Sequence, residues 1–417
     1  MGDRAVVVTG MGILSSIGEN ITEFDESLFY QKSGLININN KFLSVAGLIK
    51  EFDFAKASIL EEVPKDLRDK TVRIVRRMPV AVQTTAIAVL QAWNQARLSK
   101  VNGEEISIIT AGSNLSQGYM FENFSKYVVA PEYISPLYAM QHFDTNYNGV
   151  ISEILDIHGE GMTVGGASAS GNVCLIQGLR MIKYGVTDVC ICVAPMYDFS
   201  PVELSAFSNL QVFGNYSSFK DATEASRPFD QNHKGFVPGQ ASACIILETK
   251  EHAEKRGQEI LAELVSGAIV LDGNRLANAN ENGELRTMQR ALQFGGLELS
   301  EIDYINAHGT STPNGDKIEA NAIARLLKEH KEQVWINSTK SLTGHCMYSA
   351  GITEAIACIC QIKGNYVHGT RNLENPITTQ LKFVKETIKE QSIRCAISNS
   401  FGFGGINSSI VLRAIYK

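Results

Sequence analysis

No run of about 18 consecutive apolar residues occurs in the chain, so it offers no membrane span. No basic block stands out either. Thirty-eight lysines and arginines against 44 aspartates and glutamates give a net charge of −6, and neither nucleic acid nor an anionic membrane is an expected partner. The opening run MGDRAVVVTGMG reads directly as a strand. It has no signal-peptide core or cleavage site, and Val6 stands where a myristoylation signal needs Ser or Thr. Cysteine is sparse: 8 in 417 residues is too dilute for a disulfide scaffold. Cys190, Cys192, Cys244, Cys358 and Cys360 fall inside apolar stretches and read as small buried hydrophobes in a reducing cytoplasm. The two C-x-C pairs lack His or Cys partners at zinc spacings, so no metal is expected. No Pro-rich or Ser/Gly-rich linker divides the chain, so any two lobes share an interface rather than a tether.

What is present is the pattern of an ordinary globular protein, with 44% apolar and 20% charged residues. Strand-like runs at Ala5–Thr9, Ile106–Thr110, Val186–Val193, Ala243–Glu248, Ile302–Asn306, Val334–Ser338, Arg394–Ser398 and Ser409–Arg413 alternate with helical patterns. The helices are expected at Val80–Ala96, Ala169–Tyr184, Leu285–Phe294, Lys317–Glu329 and Gly351–Ile362. Such alternation predicts an α/β protein with largely parallel sheets covered on both faces. A faint internal repeat accompanies it. Ser168-Ala-Ser-Gly171 and Tyr348-Ser-Ala-Gly351 each open a helix, and each glycine precedes a lysine, Lys183 or Lys363, by twelve positions.

Four segments carry candidate chemistry. In Met162-Thr-Val-Gly-Gly-Ala-Ser168-Ala-Ser-Gly171 an extended run meets small residues and then a long apolar helix. Ser168 there is either a plain helix cap or a group placed where unpaired N–H groups favour negative charge. The hydrolase pattern G-x-S-x-G fails, because Ser170 replaces its last glycine. In Asn306-Ala-His308-Gly-Thr310-Ser-Thr312 a histidine and hydroxyls follow a strand end, where sites of α/β sheets collect. In Lys340-Ser-Leu-Thr-Gly-His345 a second histidine lies between a strand and a helix, and Lys340 has Glu354 as a possible ion-pair partner. Finally, Asn399-Ser-Phe401-Gly-Phe-Gly-Gly405 is a glycine-rich segment that is not G-x-G-x-x-G, since Asn407 replaces the third glycine. A mobile loop carrying Phe401 as a gate is the expectation there.

Together these runs resemble the β-ketoacyl-ACP synthases, the ketosynthase branch of the thiolase superfamily, over nearly the whole chain. Val8-Thr-Gly-Met-Gly12, Ser226-Arg-Pro-Phe-Asp230 and Gly235-Phe-Val237 extend the match. The resemblance implies a duplicated αβαβα thiolase fold of five layers. An N-terminal half (residues 1–255) would carry Ser168, and a C-terminal half (256–417) would carry His308, Lys340 and His345. It implies a homodimer, no cofactor of its own, and an acyl substrate delivered on the phosphopantetheine of an acyl carrier protein. His308 and His345 match the family's active-site histidines and Lys340 its supporting lysine, with Glu354 behind it. Thr310 and Thr312 match the pantetheine-contacting threonines, and Phe401 the gate.

One departure bears on function. The family's nucleophilic cysteine lies in A-C-x-S-G, and here the run is Ala167-Ser168-Ala-Ser-Gly171. A thiol reaches useful thiolate levels at a helix N-terminus, whereas an alcohol needs an adjacent base. Condensation should stall at acyl transfer, but decarboxylation of a malonyl thioester needs only donors at the oxygen where enolate charge develops. The expected activity is therefore malonyl-ACP decarboxylation to acetyl-ACP, resembling the Ser-variant ketosynthases of polyketide β-branching. Three alternatives stand beside it: a condensing enzyme whose cysteine was engineered to serine, a non-catalytic partner like the chain-length factors, and a Ser–His hydrolase or acyltransferase. Scattered departures at Gly165-Gly166, Lys234, Gln240 and Ser242 speak for natural divergence, and the retained histidines speak against a chain-length factor.

Overall fold

The computed structural model describes residues 4–214, 216 and 219–415. Its main sheet contains β1 (Val6–Ser15), β4 (Ile106–Ala111), β5 (Gly161–Val164), β6 (Val189–Ala194), β7 (Ala241–Thr249), β8 (Ala262–Leu271), β9 (Tyr304–Asn306), β10 (Trp335–Asn337), β11 (Cys395–Gly402) and β12 (Ile406–Arg413). A separate short hairpin is formed by β2 (Leu35–Asn37) and β3 (Val45–Gly47). The main order is β10-β9-β11-β12-β8-β1-β7-β6-β4-β5. Its halves repeat one pattern. β4 is parallel to β5 and β6, and β7 is antiparallel to β6 and β1. Likewise β9 is parallel to β10 and β11, and β12 is antiparallel to β11 and β8. The halves meet along β1 and β8, antiparallel, at Val7–Glu263 and Val8–Ala262. The faint repeat is thus a duplicated unit. The sheets are mixed rather than largely parallel, because β7 and β12 return antiparallel to the strands before them.

The layers follow from where apolar and small residues fall. Helix Val80–Ala96 carries no charge, is buried at most of its positions and packs on β1 and β7. It sits that close because Gly10 and Gly12 have no side chain: a Cβ at Gly12 would lie 1.9 Å from the Ala88 carbonyl oxygen. Thr145–Leu155 covers β4 and β5 beside it. In the second half, Glu281–Gly295 packs on β8 and β12 and against Pro313–Leu327. Between the halves lie helices Ser170–Lys183 and Ala350–Gly364, which touch strands of both. They cross at the repeated glycines, where a Cβ on Gly171 would come within 2.6 Å of the Ile352 nitrogen. This is the five-layer αβαβα thiolase arrangement.

Most strand and helix positions agree with the sequence pattern, but β8 was not anticipated. Its run AELVSGAIVL is broken by Ser266 and Gly267. Those residues sit where a helix presses on each face: Ser266 donates to the Ala291 carbonyl at 2.6 Å, and a Cβ at Gly267 would meet Ile176 at 2.5 Å. Phe401 also departs from expectation. It lies in β11, buried and in register with Asn407, and only the following turn, with the exposed Phe403, is loop. All eight cysteines are buried and unpaired. Among the described residues, no helix is long and apolar enough to cross a membrane.

Candidate active site

After β5 the chain passes Gly165 and Gly166 into a tight turn, Ala167–Ala169, that leads into helix Ser170–Lys183. Ala167 is in the left-handed region (φ 48°), which is costly for an alanine. Ser170 secures the turn: its Oγ accepts from the Gly166 N–H at 2.9 Å and donates to the Ala167 carbonyl at 2.7 Å. Ser168 makes no helix-capping bond, which removes the plain-cap reading. Its Oγ lies instead 2.9 Å from Nε2 of His345.

The protonation of His345 follows from its other nitrogen. The Met347 N–H donates to Nδ1 at 3.2 Å, so Nδ1 carries no hydrogen. Burial first, and then the Lys340 ammonium, hold the ring's pKa well below the ordinary imidazole value, so it is neutral near pH 7. A neutral ring with a bare Nδ1 has its hydrogen on Nε2, and that N–H donates to Ser168 Oγ. His308 stands edge-on beside it, with ring centroids 5.4 Å apart at 86°. Burial, then Lys340 and His345, lower its pKa in the same direction. Both rings are therefore held as neutral hydrogen-bond groups rather than as cations. Lys340, from the short helix Lys340–Thr343, is buried and its Nζ donates to Glu354 Oε1. Burial pushes the Glu354 carboxyl up to about 7, partly offset by Lys340.

The remaining expected residues line the same cavity, of about 560 Å³, with Ser168, His308 and His345. Thr310 and Thr312 are joined by their hydroxyls at 2.9 Å. The Phe401 ring lies 5.7 Å from that of His308. Lys340 and Glu354 stand behind this wall rather than on it. Among the described residues lining the cavity there is no cysteine. Cys346, next to His345 in sequence, is turned away among Ala241 and Ala350.

Sequence reasoning missed the carboxylates that shape the histidine loop. Asp316 and Glu319 project three residues apart from helix Pro313–Leu327. Asp316 accepts the N–H groups of Thr310 (2.9 Å) and Ser311 (3.0 Å), and Ser311 is itself left-handed at φ 67°. Glu319 accepts those of His308 (2.8 Å) and Gly309 (2.7 Å). The available signal was a carboxylate pair at i and i+3 that shares the face of the apolar Ala320, Ile323 and Leu327 in the helix just after the N-A-H-G-T-S-T run. Glu284, Tyr197, Glu203 and Phe236 also line the cavity unannounced. Phe236 packs its edge on His345 at 5.5 Å.

Chemically, the arrangement presents the His345 Nε2–H, with the His308 ring beside it, to an oxygen placed near Ser168, inside a partly apolar wall. It does not activate Ser168 as a nucleophile. The only ring nitrogen in contact with the hydroxyl already holds a hydrogen and cannot take another from it while neutral. That arrangement speaks against the Ser–His hydrolase reading.

Comparison with known proteins agrees with this architecture. Residues 3–253 match the family model "Beta-ketoacyl synthase, N-terminal domain" and residues 261–374 the model "Beta-ketoacyl synthase, C-terminal domain". The chain is 34% identical, over 99% of its length and 97% of the relative's, to the polyketide biosynthesis malonyl-ACP decarboxylase PksF of Bacillus subtilis. It is 29% identical, over the full length of both, to 3-oxoacyl-[acyl-carrier-protein] synthase 2 of Coxiella burnetii. Among solved structures it superposes on the ishigamide ketosynthase/chain length factor with a TM-score of 0.86 at 27% identity, covering 100% of both chains. A β-ketoacyl synthase from Burkholderia phymatum gives 0.87 at 24%, covering 99% of this chain and 100% of that one, a likeness of fold.

Proposed function

The chain belongs to the β-ketoacyl synthase family, and from that premise we propose that it decarboxylates malonyl-ACP to acetyl-ACP. The observation that carries the reading is the 2.9 Å contact of Ser168 Oγ with His345 Nε2 together with the Met347 N–H at Nδ1: that pair of contacts assigns the hydrogen to Nε2, leaving the hydroxyl without a base and the donor available. A malonyl thioester on the phosphopantetheine arm would pass Thr310 and Thr312 and set its carbonyl oxygen against the imidazole N–H groups. The bond to the terminal carboxylate then breaks and CO2 leaves. Its electron pair forms the enolate, whose oxygen the histidines stabilise, and a proton added at carbon yields the acetyl thioester. One such donor is typically worth about 10²–10³ in rate. Phe401 supplies apolar surface beside the departing carboxylate. The name of the Bacillus subtilis relative supports the same reaction.

Intact-mass analysis of malonyl-ACP incubated with the protein should show loss of CO2. Retention of the malonyl group at the rate of a His308→Ala control overturns the proposal. The retained His308, His345, Lys340 and Glu354 also suit a condensing enzyme, the activity named for the Coxiella burnetii relative. Ser168→Cys separates the two, since robust chain extension by that variant favours a condensing ancestor altered at one position. The acyl carrier protein as partner and a homodimer as working form belong to the same proposal. An exposed apolar patch of Phe124, Tyr127, Val128 and Val129 supports self-association, measurable by light scattering.

A further inference from the structure

The cavity carries a positive charge that has no part in the proposed chemistry. Lys234 is the one lysine or arginine among the described residues that line it, so an anion entering there meets no other such cation on the wall. Its side chain is exposed and makes no hydrogen bond or ion pair among the described residues. The same lysine borders a neighbouring opening whose arginines are already committed. Arg227 pairs with Asp230 at 3.3 Å and with Glu374 at 3.2 Å, and Arg371 donates to the Gln31 carbonyl at 3.2 Å. The residues on either side of Lys234 fix where it stands. His233 Nδ1 lies 3.0 Å from Asp316 Oδ2, on the carboxylate whose other oxygen accepts the Thr310 and Ser311 N–H groups. On the other side, the Gly235 N–H donates to the Ser311 carbonyl at 2.9 Å. Lys234 is thus held between two residues that are both tied to the loop bearing Thr310 and Thr312.

We propose that Lys234 anchors the phosphate of the phosphopantetheine arm at the rim of the cavity. The inference deepens the decarboxylase reading and rests on it, because it names the group that receives the charged end of the arm. The substrate carries an anion at each end, the malonyl carboxylate and the phosphate. The thioester belongs at Ser168 and His345, and His345 is only 5% exposed. The malonyl carboxylate is separated from the thioester carbon by a single methylene, so it stays with it in the interior. The exposed ammonium is left to the phosphate. A lysine suits that task, being a point charge on a flexible stem that follows a phosphate without demanding one geometry. Because Lys234 has no partner to give up, the new contact breaks no ion pair. The contact remains open to solvent, so its strength is modest and falls with salt.

The test uses the full chain at low ionic strength and two non-reactive probes, the amide analogues of acetyl-phosphopantetheine and acetyl-pantetheine, with affinities read by calorimetry. Wild type should bind the phosphorylated probe about fivefold more tightly than its phosphate-free counterpart. Lys234→Met should bring that ratio close to one, and Lys234→Arg should keep it. Equal binding of the two probes by wild type overturns the inference. So does a Lys234→Met protein, folded by circular dichroism, that keeps the wild-type ratio; Lys234→Gln is read in the same way should the methionine variant not fold. A third probe, the amide analogue of malonyl-pantetheine, separates the two anions of the substrate. An effect of Lys234→Met confined to that probe puts the ammonium on the carboxylate and overturns the inference. Binding is read without turnover, so the two proposals fail separately. Wild type that decarboxylates malonyl-ACP without any phosphate preference overturns this inference alone. A Lys234-dependent preference in a protein that releases no CO2 overturns the function proposed above.

Discussion

Replacing Ser168 with alanine removes the oxygen to which His345 donates and nothing else of the cavity wall. In the free protein the Nε2–H then loses a neutral bond of 2.9 Å, with a net worth of about 0.5–1.5 kcal/mol. That N–H is the same donor proposed to meet the thioester oxygen, so substrate restores what the mutation takes away. Ser168→Ala should therefore keep kcat for malonyl-ACP decarboxylation within about tenfold of wild type, since 1.4 kcal/mol corresponds to one decade. His345→Ala removes the donor itself and should cost about 10²–10³ in kcat. Both variants are read by the conversion of malonyl-ACP to acetyl-ACP in intact-mass time courses, with circular dichroism confirming the fold. A folded Ser168→Ala protein that falls as far as His345→Ala would refute the reasoning. So would an acyl adduct on Ser168 found by peptide mapping, because either result requires the hydroxyl to react.

Burial and Lys340 hold His308 and His345 below the ordinary imidazole value, so the neutral, working forms persist as pH falls through 6.5. The kcat profile should thus show no acid limb there, and a limb near 6.5 that vanishes in His308→Ala would contradict the assignment. Glu354→Gln strands the Lys340 ammonium in the interior. Breaking one partner of a buried pair costs about 3–5 kcal/mol, so the urea midpoint should fall sharply, and a change below about 1 kcal/mol would argue against the pairing. Gly171→Ala drives a methyl to 2.6 Å from the Ile352 backbone, and overpacking of that kind costs about 1–3 kcal/mol in denaturant titrations. An unchanged midpoint would mean that the two central helices do not cross as closely as described.

Local pattern was enough for much of the fold. The buried helix Val80–Ala96 is legible because seventeen residues in a row carry no charge, β6 because its apolar run is unbroken, and β4 because it is uncharged and rich in β-branched residues. β8 was not legible, since Ser266 and Gly267 interrupt its run for reasons that lie on two helices packed from either side. The glycines after Phe401 favour a loop when the segment is read alone. The register with Asn407 makes it strand, and pairing of that kind is a property of two segments at once.

By itself the sequence determined which residue types stand in which motif: a serine in place of cysteine at 168, two histidines at strand ends, a lysine and a glutamate. It also carried a faint repeat, two helix-opening runs with the same glycine-to-lysine spacing, which the strand order shows to be a duplicated unit. Only the tertiary structure decided how these groups act. The serine and histidine that touch are 177 residues apart, and the hydrogen on His345 Nε2 is dictated by a backbone N–H on the far side of the ring. The carboxylates behind the histidine loop are likewise consequences of packing. Proton positions, burial and unmet hydrogen bonds depend on what surrounds a side chain in space, and chain order alone does not specify that.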